Sequence, residues 1–306
     1  MYTEAELRVL AAARGEPTVS ALAEDLERSV NYISELIDRM EEKGLVHTTR
    51  SEKTKHVHRS SARAIELYDQ FVQRYHHIPF AELLGGATLR VLYHLDASAS
   101  PTDLAERAGV HRSTVYRSLS PLQHRGLVYR DDGRFALNDE FEGLAALACE
   151  FAHHRNRNRV KEHTDTYTIL WESLDEFLVQ TDELIGINAF HLTGAERFQA
   201  YGLPLLARER RYYLYSESTD EVTPEELCCH MLIIGDDTRS RSYCLLLIGG
   251  VDIDRNELLD VATTYGVVDD VQALLEYLDT DGETRTETLP TWNEFRDLAD
   301  EYGVAV

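Results

Sequence analysis

The stretch LAERAGVHRSTVYRSLSPLQHRGLVYR at residues 104–130 decides the fold of the N-terminal half. It predicts a short helix, a glycine turn, a longer helix and the start of a strand. The longer helix has apolar residues at helical spacing, at Val115, Leu119 and Leu122. A helix at 87–95 precedes the stretch, and a tight turn at 131–133 with a strand at 134–137 follows it. The sequence therefore predicts the order helix, helix, helix, hairpin.

The same order occurs earlier in the chain. Three helices are predicted at 3–14, 19–26 and 29–43, and a hairpin at 45–59. The segment EKGLVHT at 42–48 corresponds to HRGLVYR at 124–130, because each joins the third helix to the first strand through a glycine. Two copies of one pattern support the prediction better than either copy alone. We call residues 1–61 repeat 1 and residues 84–138 repeat 2.

Both repeats resemble the winged helix-turn-helix domains of prokaryotic transcriptional regulators of the broad MarR, ArsR and TrmB type. Repeat 2 carries the more specific pattern. The resemblance implies that the third helix of each repeat, the recognition helix, enters the major groove of DNA. It also implies that the hairpin, the wing, contacts the phosphate backbone or the minor groove. Further along, FHLTGAERFQAYGLP at 190–204 is similar to the C-terminal domains of AbiEi-type antitoxins.

The side chains expected to contact DNA lie on the recognition helices and wings. Arginine can form two hydrogen bonds to guanine, and hydroxyl groups can reach phosphates or base edges. In repeat 1 the candidates are Ser29, Asn31, Tyr32 and Ser34 on the helix and Arg50, Lys53, Lys55 and Arg59 on the wing. In repeat 2 they are His111, Arg112, Ser113, Thr114, Tyr116 and Arg117 on the helix and Arg130 and Arg134 on the wing. Two alternatives to DNA contact remain. The recognition helix of repeat 2 could be purely structural, and the wing of repeat 1 could be a solvated basic loop.

The first recognition helix differs from the second in its charge. Its later turns are acidic, which disfavours deep insertion into a groove, and its basic wing is expected to compensate. A further basic cluster comprises Arg155, Arg157, Arg159 and Lys161. This cluster is compatible either with flanking DNA or with the acidic residues of a partner subunit.

Catalytic and metal-binding patterns are not found in the sequence. The histidines at 153, 154 and 163, and the group Cys228, Cys229 and His230, do not have the spacing of a zinc site. Asp254 with Glu257 forms a capping box for a helix rather than a catalytic acid pair. There is no Walker loop, nucleophile elbow or Rossmann fingerprint. We therefore expect neither an enzyme nor a cofactor, and we expect the four cysteines to be small buried residues.

The expected fold class is α+β, with five segments along the chain. They are a winged-helix domain at 1–61, a linker helix at 62–83, a second winged-helix domain at 84–138, a helical connector at 139–178 and an α+β sensor or assembly domain at 179–306. The connector is predicted to contain helices at 140–154 and 160–178. In the last segment the pattern predicts strands at 212–215 and 243–248 and helices at 225–232, 255–264 and 269–277.

Apolar sides on the helices at 62–76 and 140–178 suggest a homodimer, the commonest closed assembly. Alternatively, the two repeats act within one chain as a pseudo-dimer. The last segment is expected to take a small-molecule effector or a protein partner.

The composition indicates the cellular environment. The 306 residues include 54 acidic residues against 31 Lys plus Arg, a net charge of -23, and only four of the bases are lysines. Such a composition is typical of a salt-in halophile and suggests an archaeon; an ordinary acidic protein is the alternative. Residues 179–306 hold 26 acidic and 9 basic residues, a net charge of -17, so the negative charge is concentrated away from the repeats. No apolar run is long enough to span a membrane, and the N-terminus lacks a signal peptide, so we expect a cytoplasmic protein.

The predicted function is sequence-specific transcriptional regulation through double-stranded DNA. One alternative is an antitoxin-like regulator of a toxin–antitoxin operon. Another is a scaffold that uses winged helices for protein contacts. A neighbouring nucleotidyltransferase gene would favour the antitoxin.

The charge composition predicts that salt stabilises the fold. Repulsion among the acidic side chains is screened as the Debye length falls from about 10 Å at 0.1 M to about 3 Å at 1 M salt. We expect the thermal melting temperature to rise between roughly 0.2 and 2 M KCl. An unchanged melting temperature over that range would contradict the halophilic prediction.

Overall fold

The computed structural model describes residues 2–51, 54–205 and 210–305. The chain forms two compact units, Met1–Arg159 and Val160–Val306, which we call the N-terminal unit and the C-terminal unit. Both contain helices and small antiparallel sheets. The fold class is therefore α+β, as the sequence predicts.

Repeat 1 has three helices and a hairpin in the predicted order. Its elements are α1 (Glu4–Ala12), α2 (Val19–Asp25), α3 (Val30–Glu42), β1 (Val46–Ser51) and β2 (Thr54–Arg59). Thr3, Thr18 and Ser29 start the three helices, because each hydroxyl oxygen accepts a hydrogen bond from a backbone N–H of the first turn. One face of α3 is buried, at Ile33, Leu36, Ile37 and Met40.

Repeat 2 has the same order and follows two connecting helices, α4 (Arg63–Arg74) and α5 (Phe80–Leu84). Its elements are α6 (Thr88–Tyr93), α7 (Pro101–Arg107), α8 (Arg112–His124), β3 (Val128–Asp131) and β4 (Arg134–Leu137). Ser100 and Asp103 form a capping box at the start of α7, with Pro101 in its first turn. The hairpin turns at Asp132 and Gly133, both of which have a positive φ.

One hydrophobic core joins the two repeats. A 3₁₀ turn at Asp139–Phe141 leads into α9 (Gly143–Lys161), and the core runs from Tyr2 to Phe151 of that helix. The Tyr68 hydroxyl of α4 donates a hydrogen bond to the Leu7 carbonyl at 3.1 Å. The apolar sides of α4 and α9 are thus buried within their own unit and do not offer a surface to a second chain. The homodimer stays a prediction.

The C-terminal end of α3 is held by α9. The carbonyl oxygen of Lys43 lies 3.0 Å from His154 Nε2 and accepts a hydrogen bond from Asn158 Nδ2 at 2.6 Å. Lys43 Nζ also pairs at 2.6 Å with Glu6, whose side chain is buried. Because the last carbonyls of a helix have no partner within the helix, these contacts fix the end of α3 in the N-terminal unit.

The C-terminal unit combines one sheet with a group of helices. Its strands are β5 (Tyr167–Glu172), β6 (Phe177–Thr181), β7 (Phe190–Thr193) and β8 (Arg211–Tyr215), antiparallel in the order β5-β6-β8-β7. A 3₁₀ helix at Gly194–Tyr201 follows β7. The helices are α10 (Pro224–Ile234), α11 (Thr238–Gly250), α12 (Arg255–Tyr265), α13 (Val268–Asp279) and α14 (Trp292–Tyr302). Leu214 of β8 belongs to the helical core, while Tyr213 and Tyr215 belong to a smaller cluster with Val160 and Phe190.

Two of the predicted elements are wrong. The helix predicted at 160–178 is absent. Helix α9 ends at Lys161, and β5 begins at Tyr167. The β-branched and aromatic residues there pair with β6, and this tertiary pairing overrides the helical pattern. The strand predicted at 243–248 lies inside α11, where a short apolar run is buried on all sides and its periodicity cannot distinguish helix from strand.

The other elements predicted in the last segment are present. Helices α10, α12 and α13 cover the predicted helices, and β8 covers the strand at 212–215. The four cysteines are free thiols; Cys228, Cys229 and Cys244 are buried, whereas Cys149 is only half-buried.

The link between α3 and α9 predicts that alanine substitutions at two equivalent glycines lower the stability of the fold by different amounts. Gly44 and Gly126 each follow the third helix of a repeat, with φ of 61° and 73°. A Cβ at Gly44 would lie 2.9 Å from Asn158 Nδ2, whereas a Cβ at Gly126 meets nothing within 4 Å. Both alanine variants take on the strain of a left-handed residue, about 1–2 kcal/mol. Gly44→Ala should lose about 1 kcal/mol more, since Asn158 must give up its hydrogen bond.

Chemical denaturation of the two variants in molar KCl measures this difference in the free energy of unfolding. Equal losses for Gly44→Ala and Gly126→Ala would show that Asn158 does not constrain the end of α3.

Candidate nucleic-acid interface

The first turns of α8 hold polar side chains at the surface of repeat 2. The helix begins after His111, whose Nδ1 accepts a hydrogen bond from the Ser113 backbone N–H at 3.3 Å. The opposite face is fixed in the core by three fully buried residues, Val115, Leu119 and Leu122. The outward face therefore carries Arg112, Ser113 and Arg117, all exposed, with Thr114 and Tyr116 half-buried beside them.

Tyr116 joins α8 to the hairpin. Its hydroxyl oxygen accepts hydrogen bonds from Arg112 Nη2 and Arg130 Nη2, each at 3.4 Å. The two guanidinium carbons lie 5.8 and 5.5 Å from the centre of the Tyr116 ring. These arginines lower the pKa of Tyr116, first through the hydrogen bond from Arg112 and then through their positive charges. Two arginines from different elements are thus held around one ring.

The hairpin places two arginines close to its turn, Arg130 on β3 and Arg134 on β4. Arg130 pairs with Phe135 across β3 and β4, and its guanidinium carbon lies 5.4 Å from that ring. Arg134 Nη2 donates to the Ser98 carbonyl oxygen at 2.5 Å. Phe135 also exchanges two backbone hydrogen bonds with Ala99, both at 2.9 Å, so the hairpin is fixed to the segment before α7.

The arginines of this surface are not held in ion pairs. Within the described part of the chain, Arg112, Arg117, Arg130 and Arg134 make no ion pair with a carboxylate; Arg117 Nη2 contacts Thr114 Oγ1 at 3.4 Å. Helix α8 itself contains no acidic residue. The acids nearest in sequence are Asp131 and Asp132 at the exposed hairpin tip. Because Asp131 lies opposite Arg134 in the strand register, the turn end of the hairpin carries both charges, and the purely cationic surface is that of α8.

The corresponding helix of repeat 1 has the opposite character. Ser29 serves as the N-cap of α3, Asn31 and Tyr32 are exposed, and Ser34 is half-buried. The rest of the helix carries four acids, at Glu35, Asp38, Glu41 and Glu42. The expected DNA-contacting residues are thus at the surface, but they share the helix with charges that repel phosphate.

The hairpin of repeat 1 directs two of its expected cations toward acids. Lys55 Nζ lies 2.7 Å from Asp38 and 3.4 Å from Glu41. Arg59 lies 2.6 Å from Asp69 of α4, whose carboxylate also pairs with Arg14. Both arginines lower the pKa of Asp69 and outweigh the effect of burial.

The two remaining cations of this hairpin are Arg50 and Lys53. Arg50 is exposed, and Lys53 lies outside the described residues. Among the described cations proposed for this hairpin, only Arg50 can therefore meet an incoming anion without first leaving a carboxylate.

The basic cluster of α9 is divided by burial. Arg155 and Arg159 are half-buried, and their positive charges act on the buried hydroxyl of Tyr2. Arg157 and Lys161 are exposed. The first two therefore belong to the interior of the N-terminal unit, whereas Arg157 and Lys161 lie at the surface.

Sequence analysis missed the role of Ser98 and Phe135 in holding the hairpin arginines. No sequence signal indicated this role, because it depends on a backbone bridge that joins the segment before the second helix to the hairpin, and the structure has this bridge in both copies. Thr18 bridges to His56 in repeat 1, as Ala99 does to Phe135 in repeat 2. The backbone bridge in each repeat fixes the hairpin next to the second helix.

No cluster of three or more histidine, cysteine or acidic side chains suited to a metal ion occurs in residues 2–51, 54–205 and 210–305. Over the same ranges, no helix has both the length and the apolar character required to cross a bilayer. His230 is fully buried, and its Nδ1 lies 2.8 Å from Thr193 Oγ1. Burial lowers the pKa of His230 to about 3, so this imidazole is neutral at physiological pH.

Two family models match parts of the chain. Residues 86–143, which include nearly all of repeat 2, match the model described as the HVO_A0261 N-terminal domain. Residues 187–304, within the C-terminal unit, match the model described as HVO_2833_C, C-terminal. Both are haloarchaeal-type domains, in accord with the archaeal origin expected from the composition. Neither match covers half of the chain. No curated protein and no solved structure matches it.

The contacts around Tyr116 predict a change in its titration. Loss of the Arg112 guanidinium removes the main group that favours the ionised phenol, so Arg112→Gln should raise the pKa of Tyr116 toward its ordinary value of 10. Tyrosine ¹³Cζ chemical shifts followed against pH, with Tyr116→Phe to assign the signal, measure this value. An identical pKa in the wild type and in Arg112→Gln would show that the two side chains do not interact.

Proposed function

We propose that the chain is a DNA-binding transcriptional regulator in which repeat 2 makes the principal contact with double-stranded DNA. One observation carries the proposal. In a chain with 54 acids, α8 has none, and the four arginines on α8 and beside the hairpin turn make no ion pair with a carboxylate in the described structure. Phosphate supplies the missing negative charge. The winged-helix resemblance of the repeat supports the same placement, with α8 in the major groove and the hairpin beside the backbone.

The spacing on α8 suits base contacts. Arg112 and Tyr116, like Ser113 and Arg117, are four residues apart, so both pairs lie along one side of the helix. An arginine there can donate two hydrogen bonds to guanine O6 and N7. Ser113 lies in the first turn, where free backbone N–H groups and the helix dipole also favour phosphate. Arg130 and Arg134 lie beside this helix and are assigned to the DNA backbone.

Repeat 1 is proposed to have a lesser role in DNA binding. Lys55 and Arg59 must leave Asp38 and Asp69 before they can meet a phosphate, and the acids of α3 remain near the groove. A second candidate function for this repeat is protein contact. Val30 and Tyr32 are 49% and 38% exposed at the start of α3. Tyr32 also lines a cleft of about 260 Å³ between α1 and α3.

The proposal also concerns the salt-rich cell interior expected from the composition. Molar salt weakens binding that depends on counterion release, and it screens the repulsion between DNA and the acidic units. Specificity there must rest on direct base contacts and shape, which favours a few arginines held in fixed positions over many mobile lysines. The proposal also includes an effector or protein partner that binds the C-terminal unit, and assembly of the chain into a homodimer.

The proposal predicts that single arginines of α8 control specific DNA binding. A preferred duplex would first be selected from a random-sequence pool by the full-length protein in molar KCl. Arg112→Gln and Arg117→Gln should each weaken binding to that duplex by about 1–3 kcal/mol, or roughly tenfold to a hundredfold. Fluorescence anisotropy of the labelled duplex measures the dissociation constants.

The matched control is Arg39→Gln, which removes the same charge from an exposed position of α3. Its affinity should stay within about twofold of the wild type, a difference near the thermal energy. Failure to select any duplex, or equal losses in the α3 and α8 variants, would contradict the proposed role of repeat 2.

A further inference from the structure

A small cavity in the C-terminal unit has an apolar wall and a cationic mouth. It lies between the end of β7, the start of β8, the end of α10 and the start of α11, and its volume is about 50 Å³. Its apolar wall is formed by Ala195, Tyr212, Met231, Ile234 and Tyr243. Its polar lining comprises Thr193, Glu196, Arg210, Arg239 and Ser240.

Ser240 is the polar group best placed for a ligand. The residue is 7% exposed and lines the cavity, yet its Oγ makes no hydrogen bond to any described residue. Its backbone N–H is bound to the carboxylate of Asp237, which caps α11. A hydroxyl that lines a cavity and has no protein partner is available to donate a hydrogen bond to water or to a ligand.

Two arginines line the same cavity, and neither forms an ion pair with a described carboxylate. They are Arg210 and Arg239, and both are exposed at its mouth. Residues 179–306 contain only 9 basic residues against 26 acidic ones. Glu196 is the one acid in the lining, so the lining carries a net positive charge within a strongly acidic unit.

Glycines set the shape of the cavity. Gly194 has φ of 71°, and a Cβ there would lie 3.0 Å from the Tyr212 ring. A Cβ at Gly235, which also lines the cavity, would collide with Ser240 Oγ. The close approach of backbone to these two side chains therefore depends on glycine at both positions. Beneath them, Thr193 Oγ1 is occupied by the neutral His230, which leaves Ser240 as the accessible hydroxyl.

We infer that this cavity binds a small organic carboxylate. The carboxylate group lies between Arg210 and Arg239 and accepts a hydrogen bond from Ser240 Oγ. A short hydrocarbon portion packs against Met231, Ile234 and Tyr212. The volume of about 50 Å³ corresponds to about four ordered waters at 10–15 Å³ each, which excludes a nucleotide or a peptide from the enclosed part. The site is independent of repeat 2, and it does not rest on the DNA-binding proposal.

The test uses isobutyrate as the probe and isothermal titration calorimetry of the full chain in molar KCl, where non-specific attraction to surface arginines is screened. We expect saturable binding with one site per chain. Arg239→Gln should weaken it by about tenfold or more, because a charge-assisted hydrogen bond is lost. Ser240→Ala should weaken it by about threefold or more.

Three comparisons give the test its specificity. Arg296→Gln removes the same charge from an exposed position on α14 and should leave the affinity within about twofold. Isobutyramide, the neutral counterpart, should not bind, and inorganic phosphate should bind more weakly because it lacks the hydrocarbon. The inference is overturned by the absence of saturable binding, by isobutyramide or phosphate binding as tightly as isobutyrate, or by equal effects of Arg239→Gln and Arg296→Gln. Circular dichroism in the same buffer confirms that each variant is folded.

Discussion

The excess of carboxylates over basic side chains is the constraint on which the account of this protein depends. With 54 acids for 31 Lys plus Arg, a cation has many carboxylates with which it can pair. Lys55 pairs with Asp38, Arg59 with Asp69, and Arg255 with Asp279. Each of these pairs neutralises its cation locally. Cations that gather without a carboxylate are therefore informative, and they gather on α8 with its hairpin and at the cavity beside α11.

This constraint separates two repeats that have the same fold. Both have three helices, a hairpin and a backbone bridge from the hairpin to the segment before the second helix. They differ in what their third helices carry: α3 has four acids and α8 has none. They also differ in how the end of the third helix is fixed, since His154 and Asn158 of α9 reach the carbonyl of Lys43. In repeat 1 the end of the third helix is thus held by polar contacts with α9. In repeat 2 the third helix presents arginines around Tyr116.

Much of the N-terminal unit could be predicted from the sequence, because its signals are local. Hydroxyl caps at Thr3 and Ser29, glycines after the third helices and helical spacing of apolar residues each act within a few positions. The structure of the C-terminal unit was harder to predict from the sequence. The strand at 167–172 depends on pairing with β6, and α11 is apolar on all sides, so neither shows a distinctive period.

The same distinction between local and distant signals applies to the sites. The exposed residues of α8 follow from helical spacing alone, and the structure places them at the surface as expected. The pairing of Lys55 with Asp38 joins residues 17 positions apart. The cavity brings together residues from five different elements, from Thr193 of β7 to Tyr243 of α11. No sequence pattern indicates such contacts, since they are set by how the elements pack.

The most direct test of the central claim is hydrogen–deuterium exchange of the full chain with and without its selected DNA duplex in molar KCl. The account predicts that the duplex slows backbone exchange in residues 111–118 and 128–135, while residues 29–36 of repeat 1 exchange at nearly the same rate. Slowed exchange in residues 29–36 with no change in residues 111–118 would contradict the assignment of DNA binding to repeat 2.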